Sequence, residues 1–159
     1  KAGPIALMTN AGLEAVNASD LATPRQPIAT LPAETLRALE SLLAEEKLTG
    51  LVAPRLPLDL TPMARPPVFL RAAELLLQSN ATVLLVGLVP FTRNVATEPA
   101  AAREFALSLA KLARAAGKPA AFVVDSGSDY EGFRAALGEA GLPVFTRVEE
   151  AIAGLHVLA

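Results

Sequence analysis

The chain has no cysteine, so disulfide frameworks and thiolate chemistry are both excluded, a pattern in keeping with a cytoplasmic protein. It has one histidine, His156, with no partner of metal-ligand type nearby in sequence, which favours a structural or surface role over catalysis. Aromatic residues make up 4%, too few to suggest a flavin site, for which only Thr9, Phe91 and Tyr130 are even candidates. No apolar run reaches the ~20 residues of a membrane span; the longest, around residues 83–90, stops well short. A net charge of −2 with no Lys/Arg stripe leaves no electrostatic footprint for nucleic acid. Also missing are a Ser/His/Asp set, a Walker loop, a G-x-G-x-x-G turn and any internal repeat.

What the 159 residues do contain is a regular alternation of short apolar runs and alanine- and leucine-rich helical patterns, enough for one domain with a sizeable core. Strands are expected at residues 4–8, 27–30, 82–89, 119–124 and 143–145. Pro27 argues that the second lies at an edge, because proline cannot donate to a central ladder. Residues 82–89, β-branched and apolar on both faces, read as central. Helices are expected at 11–21, 32–46, 68–78, 99–116, 130–140 and 148–158, with Gly117 and Gly141 as stops. For the first of these, Leu13, Ala15, Val16 and Leu21 are available for the apolar face. Residues 48–58 are ambiguous: Leu51-Val52-Ala53 could form a strand, but Pro54, Pro57 and Pro62 argue for an extended, mostly irregular path. This alternation predicts an α/β, flavodoxin-like, doubly wound parallel sheet of five strands in the order 2-1-3-4-5, in three α/β/α layers.

In such sheets a ligand sits beyond the carboxyl ends of the strands where the order reverses. Here that brings the corner Thr9-Asn10-Ala11-Gly12-Leu13 opposite Pro90-Phe91-Thr92-Arg93 across a crevice. The corner joins a buried strand to a helix with almost no loop, so free N–H groups and the positive end of a helix dipole meet there, as suits a phosphate or carboxylate. Gly12 would allow close approach, Asn10 could donate its amide, and Arg93 could pair with an anion in the crevice. Alternatively, Thr9 and Asn10 simply cap a helix. Asp59 and Thr61, set among prolines, border the same region; carboxylates in such places often bind local N–H groups. Asp125 and Asp129 flank a Ser/Gly loop that could hold a cation, although solvated loop acids are commoner.

Several segments, in order, resemble one family. Ile5-Ala6-Leu7-Met8-Thr9-Asn10-Ala11-Gly12 resembles a strand followed by a T-N-A-G turn, and Leu31-Pro32-Ala33-Glu34-Thr35-Leu36 resembles a leucine-serine-x-glutamate-threonine helix start. Pro57-Leu58-Asp59-Leu60-Thr61-Pro62 is similar to an N-P-x-D motif, and Val89-Pro90-Phe91-Thr92 to the loop after the central strand. Gly141-Leu142-Pro143-Val144-Phe145 and Glu149-Glu150-Ala151 resemble the closing motifs. Together they look like the carboxyl-side flavodoxin-like domain of NDP-forming acyl-CoA synthetases, relatives of succinyl-CoA ligase. The likeness departs at Leu56, where asparagine is usual, and at Leu13, often a second glycine.

The resemblance implies a parent enzyme that couples acyl-CoA to ATP or ADP through an acyl phosphate and a phosphorylated histidine. This domain, residues 1–159 of a longer protein, would supply a helix N-terminus holding phosphate or phosphohistidine at Thr9–Leu13. Asp59, Thr61 and Pro90–Arg93 would line the substrate crevice. It would bind no cofactor or metal alone and would not turn over in isolation. CoA and Mg-ATP would belong to CoA-binding and ATP-grasp domains of the same protein or a partner subunit. Neither nucleic acid nor membrane is implied. A non-catalytic assembly domain and a small-ligand sensor are the rival expectations.

Overall fold

The computed structural model describes residues 3–90, 94–95 and 97–158, with the side chains of 155–158 excepted. Its elements run β1 Ile5–Thr9, α1 Gly12–Leu21, α2 Ala33–Glu45, β2 Leu58–Asp59, α3 Pro66–Leu76, β3 Val83–Gly87, α4 Pro99–Ala116, β4 Ala120–Val123, α5 Glu131–Gly138, β5 Val144–Phe145 and α6 Val148–Leu158. The five strands form one parallel sheet in the order β2-β1-β3-β4-β5, with helices on both faces: the flavodoxin-like α/β fold. β1 and β3 lie side by side at its centre, in register from Ile5 opposite Val83 to Thr9 opposite Gly87.

Side-chain alternation along these strands divides the core in two. Ala6, Met8, Leu84, Val86 and Phe122 face a large cluster with α2 to α5, built on Leu39, Leu42, Phe69, Leu109 and Phe133. Ile5, Leu7, Val83, Leu85 and Val123 face a smaller one with Ala18 of α1 and Val148, Ala151 and Ile152 of α6. Helix boundaries follow local chemistry: α4 buries Ala102, Ala106, Leu109, Ala110 and Ala113 at helical spacing and stops at Gly117, whose φ of 63° is the left-handed value glycine tolerates. Lys118, just beyond, donates through Nζ to the carbonyls of Leu77 and Ser79 at 2.6 and 2.7 Å, satisfying acceptors at the end of α3.

Two expectations are corrected. The second strand is Leu58–Asp59, not residues 27–30. Ile28 does lie along the edge of β1, where Ile5 N–H donates to Pro27 O and Ala29 N–H to Ile5 O, but as a single bridge. The chain then leaves for α2, with Thr30 N–H taken by Asn80 Oδ1. The other half of that edge goes to Leu58 and Asp59, paired with Met8 and Thr9, and Leu60 N–H reaches Thr9 O. Prolines 57 and 62 bracket this short ladder without supplying any of its donors, so their density did not preclude a strand. Residues 51–53 form no strand; Val52 makes one bridge to Thr49.

The second correction concerns α1. Leu13 and Val16 are exposed, at 70% and 56%, while Glu14 and Ala18 are buried against the sheet. The short β1–α1 connection fixes the helix's rotation, and residues 14 and 18, one turn apart, face inward whatever their polarity.

Candidate functional site

β1 and β3 end side by side at the point where strand order reverses, and a cleft of about 500 Å³ opens there. Asn10, Ala11, Gly12, Leu13 and Glu14 form one wall; Pro62, Val89 and Asp125 complete it. The N–H groups of Gly12 and Leu13 stand at the first two positions of α1, where the helix offers them no acceptor. No side chain caps the helix: the N-cap residue is Ala11, and Thr9 Oγ1 accepts instead from Ala11 N–H at 3.1 Å.

Asn10 is buried and its amide works elsewhere than at the cleft surface. Val89 N–H donates to Asn10 Oδ1 at 2.8 Å, and Asn10 Nδ2 donates to Val89 O at 3.1 Å. This reciprocal pair ties the end of β1 to the loop after β3 across 79 residues of sequence. Asn10 therefore builds the cleft's floor through its amide's bonds to Val89.

Asp59 lies beside the start of α1: a β-carbon on Gly12 would come within 3.1 Å of its Oδ2. Its Oδ1 accepts from Thr61 N–H at 2.9 Å, which holds Thr61 at a φ of 61°, strained for a β-branched residue. Thr61 Oγ1 accepts in turn from Met63 N–H. This turn forms the rim that carries Pro62 into the cleft. Pro90 is buried behind Val89, while Phe91, Thr92 and Arg93 lie outside the described residues. Asp125 is exposed and lines the cleft; Asp129 sits exposed in a short 3-10 turn, Ser128–Tyr130. Among the described residues no three acids or histidines are grouped as a metal site would need.

The residue that sequence reasoning missed is Glu14. It is 7% exposed, on the inward side of the first turn of α1. Thr9 Oγ1 donates a short hydrogen bond to Glu14 Oε2, and Glu14 Oε1 is buried with no hydrogen-bond partner among the described residues. Space for the carboxyl exists because Gly87, opposite Thr9 on β3, has no side chain. A β-carbon there would overlap Glu14 Oε2 and lie 2.7 Å from Thr9 Oγ1 and 2.9 Å from Thr9 Cβ. Burial pushes the carboxyl's pKa up to about 7; the Thr9 hydrogen bond lowers it in part, and the Asp125 charge raises it further. A glycine closing an otherwise apolar strand, with an acid five residues after Thr9, was the signal available in sequence.

The corner is rimmed by apolar side chains. Leu13, Val16, Leu51 and Met63 are all exposed, four of the five large hydrophobic residues that are among the described residues. A groove lined by Gly12, Val16, Leu51, Arg55, Pro57 and Asp59 runs beside α1.

No family model matches this sequence, and no curated protein matches it significantly. Among solved structures it is similar to the crystal structure of PH0766 from Pyrococcus horikoshii OT3, at 27% identity and a TM-score of 0.79. The match covers 98% of this chain and 34% of that one, so the chain spans about a third of the length of the solved protein. Among the described residues no helix is long and apolar enough to cross a membrane.

Two stability effects should follow from the Glu14 site. Gly87→Ala should cost about 1–3 kcal/mol in urea unfolding, as overpacking does, and Glu14→Ala in the same background should recover part of it; a neutral Gly87→Ala would contradict the packing. Because the folded carboxyl titrates near 7 rather than 4.5, the folded chain keeps a proton that the unfolded chain has released. Stability should therefore fall as pH rises from about 4.5 to 7 and level off above, losing roughly 3 kcal/mol at 1.36 kcal/mol per pH unit. Glu14→Gln should remove this slope, and parallel stability curves for the two proteins between pH 5 and 8 would count against it.

Proposed function

We propose that this chain is the phosphate-holding domain of a multidomain NDP-forming acyl-CoA synthetase, presenting the α1 N-terminus to a phosphoryl group carried on a histidine elsewhere in the enzyme. The observation that carries the reading is the corner itself: two N–H groups without an acceptor among the described residues at the start of a helix, opening into a cleft at the β1–β3 reversal. The cleft has the volume of a small-molecule site, about 300–1,000 Å³, more than an inorganic phosphate needs. That leaves room for the group bearing the phosphate. The exposed apolar rim suits closure by another domain, and the match to one third of a longer solved chain is compatible with further domains.

On this reading the corner Thr9–Leu13 holds the phosphoryl group through the N–H groups of Gly12 and Leu13, with Asp59, Thr61 and the loop beginning at Pro90 beside the substrate. CoA and Mg-ATP or ADP bind the CoA-binding and ATP-grasp domains, in the cytoplasm, and this domain alone is inactive. A helix N-terminus contributes about 0.3–1 kcal/mol toward an exposed charge and up to roughly 2 when partly buried. At 1.4 kcal/mol per tenfold in affinity, a tight site needs a second domain to exclude water and add donors. A second reading, an assembly domain without chemistry, is favoured by one observation: the described cleft lining contains two acids and no base.

Gly12→Val separates the two. A β-branched side chain at the first position of α1 would crowd an anion held by the Gly12 and Leu13 N–H groups, and its β-carbon would come within 3.1 Å of Asp59 Oδ2. In the full-length protein, histidine phosphorylation should fall at least tenfold, with thermal unfolding shifted by no more than about 4 °C. Undiminished phosphorylation would leave the assembly reading.

A further inference from the structure

Glu14 is the polar group of the cleft that phosphate holding leaves without a task. Its position is unusual for one. An ionised carboxylate in the first turn of α1 would compete for the same helix dipole that an incoming anion uses, and would repel that anion. The burial of the carboxyl points to a different state: Oε1 is buried with no hydrogen-bond partner among the described residues, which disfavours the ionised form more than the hydrogen bond from Thr9 favours it. Ala11 N–H donates to Thr9 Oγ1, whose own hydrogen goes to Glu14 Oε2, so Oε2 is an acceptor and a proton on the carboxyl resides on the unpartnered Oε1.

We propose that the corner takes up an oxyanion and a proton together: Glu14 must be the neutral acid for a phosphate-class anion to occupy the α1 N-terminus, and ionised Glu14 closes the site. The proposal rests on the anion reading of the corner and deepens it. The charges around Glu14 agree with it. Asp125, after β4, lines the same cleft and acts on the carboxyl directly. Asp59, at the end of β2, flanks Gly12 and shares a groove there with Arg55, which lines no part of the cleft itself. From α6, which packs on α1, come Glu149 and Glu150, exposed in its first turn, the latter paired at 3.9 Å with Arg147 just before the helix, and His156 near its end, whose side chain is outside the described residues. No described cation is among the groups acting on Glu14. An anion entering this setting gains when Glu14 is discharged, and burial raises that carboxyl's pKa to about 7.

Sulfate is the probe, because its charge is constant from pH 5.5 to 8.5 where phosphate's is not. Binding to the 159-residue chain is followed through the amide resonances of Gly12 and Leu13 during sulfate titrations. Affinity should fall about tenfold between pH 6 and pH 8, and in Glu14→Gln, whose amide oxygen can still accept from Thr9, it should stay level. Calorimetry on the unaltered chain at pH 7.5, in buffers of different ionisation enthalpy, should show fractional proton uptake with each sulfate bound. Sulfate binding that is independent of pH, or that takes up no proton, overturns the proposal and leaves the anion site standing. Failure of sulfate to perturb either amide at any pH overturns both.

Discussion

The hydrogen bond from Thr9 to a buried Glu14, seated over Gly87, is the interaction on which the business end of this fold depends. It joins three elements at once: the last residue of β1, the first turn of α1 and the last residue of β3. Burying an acid there is costly unless it is neutral and hydrogen-bonded, and the structure offsets part of that cost with a hydroxyl on one side and an omitted side chain on the other, Oε1 being without a partner among the described residues. With α1 so seated, its N-terminal N–H groups face the gap between the loops after β1 and β3. The Asn10–Val89 pair fastens those loops together underneath. The cleft is thus a by-product of how the helix is locked to the sheet.

The same arrangement sets the character of the site. Because Glu14 takes the inward position, Leu13 and Val16 turn outward, and with Leu51 and Met63 they surround the corner with apolar surface. An anion-binding corner framed by exposed hydrophobic side chains is suited to being covered by protein. An open site for a freely diffusing anion has less use for such a frame. The absence of a base from the described lining fits that division, since charge compensation can come from whatever closes over it.

The sheet order and the central β1–β3 pair were legible from alternation, because buried parallel strands announce themselves as apolar runs between helical patterns. The edge strand was not. Two residues between prolines carry almost no periodicity, and Leu58–Asp59 is a strand only because Met8 and Thr9 need partners there. Composition also misread α1, where apolar residues were available but the short connection from β1 imposed the helix phase. Thr9 to Leu13 were recognisable as a strand-to-helix corner. Glu14 was not, because an acid in a first helical turn is ordinarily a solvated partner of the dipole, and its burial depends on a glycine 73 residues away in β3.

The most direct test of this account is the ionisation of Glu14 itself, followed by the carbon chemical shift of its carboxyl group as pH is varied. The account predicts a midpoint near 7, well above the ordinary 4.5. A midpoint at the ordinary value would mean that water reaches the carboxyl and that α1 is not locked to the sheet through Thr9 and Gly87, which would contradict the basis of the cleft.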